Sequence, residues 1–356
     1  MDDDSIPDGL PVPFSLHVDL LDRMLNFELA DDPTYTGIEV QRFDDAVHGR
    51  GVAVLLMRRQ DGRVDVHHEP GLRLDQAGYE IGGGLREWRT TEFDVARFEV
   101  TPRGVDLAVA FDDVEGRRIE VRVGDRTRRP RRTAAFLAPM GAEIAKPQSL
   151  PLVWMASFDL LRRRGPKPVI SIDGRAASPG RLPAEWLLRR RLIKVATDLC
   201  IVYLNEAGDR STATVGDPVL GSDGLEAVTA SAGGHDVVLG FDPPFPAGSV
   251  RGEAPAIGHW HLEIDEAPVV GGIWQAEPVG DGTVGVTVEV TRGWEPTGLP
   301  GLMAVVTRVV PVFRRWPTTY RWMGTVTPGE EPRAEGRWER TGADLAQSYR
   351  SMTGSG

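Results

Sequence analysis

The sequence predicts a mainly β protein made of two consecutive antiparallel β-barrel or β-sandwich units with a few short helices. Three observations carry this expectation. Val284, Val286, Val288 and Val290 alternate with Gly285, Thr287 and Glu289, the period-2 signature of a half-buried strand. Val105, Leu107, Val109 and Phe111 alternate in the same way, and Ile119, Val121 and Val123 repeat the pattern beyond a turn at 112–116. Finally, 41 Gly and 27 Pro against 7% aromatic residues, in 356, describe many short strands joined by turns.

Composition narrows the class. A hydrophobic fraction of 41% is ample for a packed core. The formal net charge of -11 argues against nucleic acid, which needs a surplus of basic surface. Only three of the 41 basic residues are lysine (Lys146, Lys167, Lys194), and Asn26 and Asn205 are the only asparagines, a bias expected of a GC-rich genome. The single cysteine, Cys200, excludes an internal disulfide and a thiolate metal cluster. The start Met1-Asp2-Asp3-Asp4 is acidic where a secretory signal is basic. No apolar run reaches the roughly 18 residues that a membrane-spanning helix needs, so a cytoplasmic protein is expected.

Taken in order, residues 1–34 read as a lead-in. Positions 1–16 are rich in Pro and Asp, and Leu20, Leu21, Met24, Leu25 and Leu29 have helical spacing over 18–29. The first β unit spans 35–180. It holds an apolar run at 52–57, a turn at 60–63, an alternating Val64, Val66 and His68, and the three-strand meander 93–123. Gly82-Gly83-Gly84 is a bulge or tight bend, because no Gly-Lys-Ser/Thr follows to make a phosphate loop. Leu150-Pro151-Leu152 leads into Trp154, Phe158 and Leu161, a stripe read as a helix entered through proline. A strand at 169–172 and a linker at 179–183 close the unit.

The second unit spans 181–327. Ile193, Val195, Leu199, Ile201 and Tyr203 have period 2 and predict a long strand; 208–224 reads as a polar loop. Three strands follow over 259–290. Leu299-Pro300-Gly301 then opens a helical stripe of Leu302, Val305, Val306 and Val309, and 319–326 is an aromatic strand. Residues 328–356 read as a mobile tail with a short helix at 343–349. Both halves share the order meander, helix entered through Leu-Pro, then arginines, which suggests a degenerate internal duplication.

Few residues look chemical. His259 and His261 share a strand face with Glu263, and Glu266 lies just beyond. Such spacing can present two imidazoles to a metal and resembles the first half of a cupin metal motif. However, no histidine follows His261. Burying Trp260, Leu262 and Ile264 is also worth about 1.5–3 kcal/mol each, which turns the histidines outward, so no metal is expected. His67-His68-Glu69 sets histidine beside a carboxylate, a general-base pairing that is more often plain surface. Cys200, among Leu199, Ile201 and Val202, reads as a buried inert thiol. Nucleophile elbow, Walker loop, dinucleotide fingerprint, His-Glu-x-x-His and Cys-x-x-Cys are all missing. No catalytic residue is assigned, and no cofactor is expected.

Arginine clusters at 126–132, 162–164 and 189–191 suit an anionic ligand or a membrane surface. The acid-free segment 299–316 suits an interface. Tryptophan recurs in the strands and stripes, at 154 and 316 among others. Trp88, Trp260, Trp274, Trp294, Tyr320 and Trp322 are the candidate ligand-binding residues, since large aromatics suit a barrel that encloses an apolar molecule.

Two consecutive meanders in one chain, 93–123 and 259–290, with Trp260 and Trp274, resemble the tandem lipocalin-like (calycin) superfamily, which includes carotenoid hydratases and fungal Diels–Alderases of natural-product pathways. The resemblance covers about residues 35–330, rests on architecture, and transfers no catalytic residue. It implies a β-barrel cavity holding an apolar or amphipathic small molecule in natural-product or lipid metabolism. Binding of such a molecule is the expected function. The alternatives are a cofactor-free isomerase, hydratase or cyclase in the same cavity, and a structural or membrane-surface partner.

Overall fold

A computed structural model describes residues 14–76, 79, 81–138, 147–182, 185–206, 211–246, 255–280, 283–296, 299, 304, 307–308, 316–327 and 333–341. In chain order the strands are β1 (Leu16–Glu28), β2 (Tyr35–Asp45), β3 (Gly49–Arg58), β4 (Val64–His68), β5 (Leu85–Thr90), β6 (Val95–Thr101), β7 (Gly104–Asp112) and β8 (Arg118–Arg126). Then come β9 (Ala134–Ala138), β10 (Leu150–Arg162), β11 (Val169–Ile172), β12 (Arg175–Ala176), a single helical turn α1 (Glu185–Leu188), β13 (Arg190–Leu204), β14 (Thr214–Val215) and β15 (Asp217–Gly221). The last are β16 (Gly224–Ala232), β17 (His235–Phe245), β18 (Ala256–Ile264), β19 (Ala267–Gly280), β20 (Thr283–Arg292), β21 (Tyr320–Thr327) and β22 (Arg333–Arg340). The expected all-β class with antiparallel sheets is what the chain forms.

These strands make three sheets. A nine-stranded sheet has the order β5-β4-β3-β2-β1-β13-β10-β9, with β14 added beside β1. A five-stranded sheet runs β12-β11-β8-β7-β6, and an eight-stranded sheet runs β15 to β22 strictly in sequence order. Only β4 and β5 pair in parallel among the described strands.

The nine-stranded sheet is the middle layer, and the apolar run at 52–57 shows why. Along β3, Val52, Val54 and Leu56 face the core shared with the five-stranded sheet, while Ala53 and Leu55 face the core shared with the eight-stranded sheet. A strand dry on both faces reads as a continuous apolar run rather than an alternation. The outer sheets each have one dry face, and there the alternation is clean: Leu107, Val109 and Phe111 are buried toward one core, and Val284, Val286, Val288 and Val290 toward the other.

The same two-sided burial explains where the sequence misleads. Positions 18–28 lie in strand β1 and Leu29 in a bridge to Pro179, not in a helix. Leu16, Val18 and Met24 enter one core, and Leu25, Phe27 and Leu29 the other, so apolar residues on both strand faces imitate a helical stripe. Trp154, Phe158 and Leu161 likewise lie on a strand, β10, with Trp154 and Phe158 in one core and Leu161 in the other. Pro151 sits at its second position, near the strand end, where proline is tolerated.

The polar stretch 208–224 contains β14 and β15, and the expected mobile tail contains β22, paired with β21 from Tyr320↔Arg340 to Thr327↔Arg333. The helices at 343–349 and over most of 299–316 lie outside the described residues, although Ala304, Thr307 and Arg308 are helical. The boundary at 180/181 does not separate sheets, because β13 lies between β1 and β10. The glycine bend is present: Gly82 and Gly84 have φ of 60° and 100°, and a Cβ on Gly83 would lie 2.7 Å from the Asp61 carbonyl.

Candidate functional site

Tryptophan is distributed unequally between the two cores. Seven buried tryptophans (154, 260, 274, 294, 316, 322 and 338) belong to the core between the nine- and eight-stranded sheets, and none to the other. Backbone register puts several in rows. Gly258, Trp274, Val288, Trp322 and Trp338 are successive cross-strand partners on β18 to β22. Phe241, Trp260, Gly272 and Val290 form a second row on β17 to β20.

Three of these rings lie over glycines. The Trp274 indole covers Gly258, Trp260 covers Gly272, and Trp322 covers Gly324 and Gly336, where a Cβ would collide with the ring. Glycine beside tryptophan therefore lets rings lie along the sheet instead of standing across the gap between layers.

Other rings close the interior. Phe245 meets Trp274 edge-on at 4.9 Å and Phe14 at 5.2 Å. Trp294 meets Phe136 at 5.4 Å and Trp154 at 6.0 Å, both edge-on. Tyr320 lies 6.1 Å from Trp316 and 6.0 Å from Trp338, with the Arg340 guanidinium 4.3 Å above its ring.

The polar edges of these rings differ. Trp260 Nε1 donates to the Glu289 carbonyl at 3.1 Å, and Trp338 Nε1 to the Leu204 and Asn205 carbonyls at 3.0 Å. Trp274 Nε1 and Trp316 Nε1 are fully buried and have no acceptor among the described residues. Their side chains are 1% and 2% exposed, so neither donor reaches bulk water.

All six sequence candidates fall in or against this one core. Trp260, Trp274, Trp294, Tyr320 and Trp322 are buried in it, and Trp88 packs on its margin. Trp88 lies 5.1 Å from His68 and 5.0 Å from Tyr79, whose hydroxyl donates to Gln41 Oε1 at 3.1 Å. His68 Nδ1 contacts the Glu69 carbonyl at 3.1 Å, and its Nε2 is a further buried nitrogen without a partner among the described residues.

The other candidates separate. Trp260, Leu262 and Ile264 point inward and His259 is exposed, so the strand register runs as expected. His67 and His68 occupy successive strand positions and face opposite cores, and the Glu69 carboxylate accepts from Val52 N at 2.6 Å, so the three make no general-base pair. His67 packs 4.8 Å from Phe111, with Nδ1 2.9 Å from Thr91 Oγ1; burial lowers its pKa to about 4, and it is neutral at ordinary pH. Cys200 is buried, and burial pushes its thiol up to about 12, so it carries no thiolate.

One polar cluster was not legible in the sequence. At the end of the other core the Tyr35 hydroxyl donates to Asp113 at 2.9 Å and accepts from Arg117 at 2.9 Å. Arg58 joins by pairing with Asp65 and with Glu115, each at 2.6 Å. Burial opposes the Asp113 charge, but the N–H groups of Arg117 and Glu115 and the Tyr35 hydroxyl outweigh it and hold its pKa low. Each residue has at least one charged or hydroxyl partner, although Arg58 Nη2 is buried without an acceptor among the described residues, and the cluster reads as a structural clamp. It joins three stretches remote in sequence, Tyr35 lying 78 positions from Asp113 and Arg58 57 from Glu115, and no local pattern links those stretches.

Compared with known proteins, the chain matches no family model, no curated protein and no solved structure. The fold and the site are those of a three-layer, mostly antiparallel β protein with a tryptophan-rich core on one side of its middle sheet.

Proposed function

We propose that the protein binds an apolar or amphipathic small molecule bearing a hydrogen-bond acceptor, held between the nine- and eight-stranded sheets. The observation that carries the reading is the pair of indole donors, Trp274 Nε1 and Trp316 Nε1, buried without an acceptor among the described residues. An unmet buried donor costs about 1–3 kcal/mol, and a carbonyl, ether or hydroxyl oxygen of a guest would recover it. The aromatic rows of the eight-stranded sheet supply apolar contact on one side of such a guest, and Phe136, Trp154 and Phe158 of the nine-stranded sheet supply it on the other.

In this reading the sequential β15-to-β22 meander is the curved wall of a lipocalin-like unit, with Trp260, Trp274, Trp294, Tyr320 and Trp322 on its inner side and Trp88, from β5 of the facing sheet, at the margin. Strand order and the inward tryptophans support it. Nucleic acid is no part of the proposal, because the net charge of -11 would repel it.

Native mass spectrometry of freshly purified protein tests the proposal directly. The expected result is a retained organic species released on denaturation. Trp274→Phe and Trp316→Phe should each weaken its retention by about fivefold, the equivalent of one hydrogen bond of ~1 kcal/mol. A bare chain mass, with no uptake of amphipathic dye quenched by the buried tryptophans, would overturn it.

A further inference from the structure

The three arginine clusters are far apart in sequence and meet at one end of the molecule. β8 ends at Arg126, β10 ends at Arg162 and β13 begins at Arg190. Arg162 ties them together. Its guanidinium holds Asp125 through Nε and Nη2, both at 3.0 Å, and donates to Thr127 Oγ1, to the Arg129 carbonyl and to the Arg103 carbonyl at 2.7–2.8 Å. Arg163 N donates to the Arg189 carbonyl at 3.0 Å, and Asp159 is shared by Arg190 at 3.3 Å and Arg131 at 3.8 Å.

The acids at this end are thus consumed inside. Asp125 and Asp159 are buried, and Glu185 faces Arg191 at 3.8 Å. Outside, positive charge predominates: Arg126, Arg128, Arg129, Arg163, Arg164 and Arg189 are all exposed, against the exposed Glu99 and Asp106 of the β6–β7 hairpin, the latter paired with Arg97 at 3.1 Å. Thr101, Pro102, Arg103, Arg126, Thr127 and Arg128 line an open groove of about 640 Å³ at the same end. On a chain whose net charge is -11, such a concentration of cations is not average surface.

One apolar feature sits among these charges. In α1, immediately before Arg189, Trp186 is 71% and Leu187 is 65% exposed. Every other tryptophan of the described residues is buried or partly buried. An exposed Trp-Leu pair beside Arg189, Arg191 and Arg163 matches one surface in particular, a bilayer with anionic headgroups. Tryptophan settles at headgroup depth, leucine below it, and arginine pairs with phosphate. A nucleic acid would use the cations but gain little from Leu187, and the rest of the acidic chain would repel its length.

We propose that this end, built from segments 126–132, 162–167 and 185–191, docks on anionic lipid surfaces, with Trp186 and Leu187 inserted and the surrounding arginines on headgroup phosphates. The docking is separate from the interior binding proposed above. It uses none of the same residues, and either can fail alone.

Co-sedimentation of the full chain with vesicles decides it, comparing phosphatidylcholine alone with phosphatidylcholine mixed with phosphatidylglycerol. Binding is expected only to the mixed vesicles and should be released by high salt, since exposed charges are screened beyond about 8 Å at physiological ionic strength. Arg163→Glu with Arg164→Glu should weaken binding roughly tenfold or more, and Trp186→Ala with Leu187→Ala several-fold. These positions are exposed, so both variants should melt as the wild type does. Trp274→Phe should bind vesicles normally, which keeps this test apart from the interior one. Equal binding to both vesicles, no binding at low salt, indifference to both variants, or preference for a single-stranded oligonucleotide over the vesicles would each overturn the proposal.

Discussion

Individual positions carry sharply different weights here. Val121 and Val288 are both 0% exposed, one in each core. Val121→Asp or Val288→Asp buries an unpaired carboxylate at a cost of several kcal/mol, against a total stability of about 5–15. Both variants are expected to be insoluble or to lose their cooperative thermal transition; a soluble, cooperatively melting variant would contradict the core assignment. His259 and His261 lie on the outer face, and losing both to alanine should change stability by no more than about 1 kcal/mol in chemical denaturation. His67 is different because it is buried and neutral. Its folded pKa is about 4 and its unfolded value about 6.5. Between these values the unfolded chain binds a proton that the folded chain does not, so stability falls as pH drops from 6.5 toward 4. From pH 7 to pH 5 this residue alone should remove about 2 kcal/mol. Urea titrations at both pH values should show that share disappearing in His67→Gln; an unchanged pH dependence would refute it.

Among the elements, β13 is the best enclosed. It pairs with β1 from Leu16↔Leu204 to Asn26↔Lys194 and with β10 from Leu150↔Leu204 to Arg162↔Arg190. Both its edges are bonded and most of its residues beyond Leu192 are buried, Asp198 excepted, so most of its amides open only with the whole fold. Hydrogen exchange should find 190–204 the slowest segment, with the edge strands β12 and β15 among the fastest; rapid exchange of β13 would mean that the central sheet is wrongly ordered. β13 was legible in the sequence because Ile193, Val195, Leu199, Ile201 and Tyr203 keep period 2. β1 and β10 were not. Their inner and outer positions are both apolar, and a strand with two dry faces loses the alternation that distinguishes it from a helix.

Over the whole molecule, one sheet serves two cores. Residues 1–180 alone would lack β13 and leave β1 and β10 without the strand between them. Each half expressed separately is therefore expected to be insoluble or noncooperative, and the intact chain to show a single calorimetric transition. Two halves that each melt cooperatively would show the sheets to be independent. The two functional proposals also belong to this scale, since the aromatic interior and the basic end each draw on strands remote in sequence.

The sequence by itself determined the β class, the two outer meanders, the inward face of Trp260, Leu262 and Ile264, and the turns between them. Each of these follows from period-2 alternation or turn chemistry within about a dozen residues, which is the range over which local pattern speaks. Only the tertiary structure decided that 16–28 and 150–162 are strands, that β13 closes the middle sheet across the chain's midpoint, and that three arginine clusters share one end. Those outcomes depend on which faces are covered by distant strands and on ion pairs such as Arg162 with Asp125, 37 residues apart. Burial on both faces erases the local signal, and long-range pairing leaves none to read.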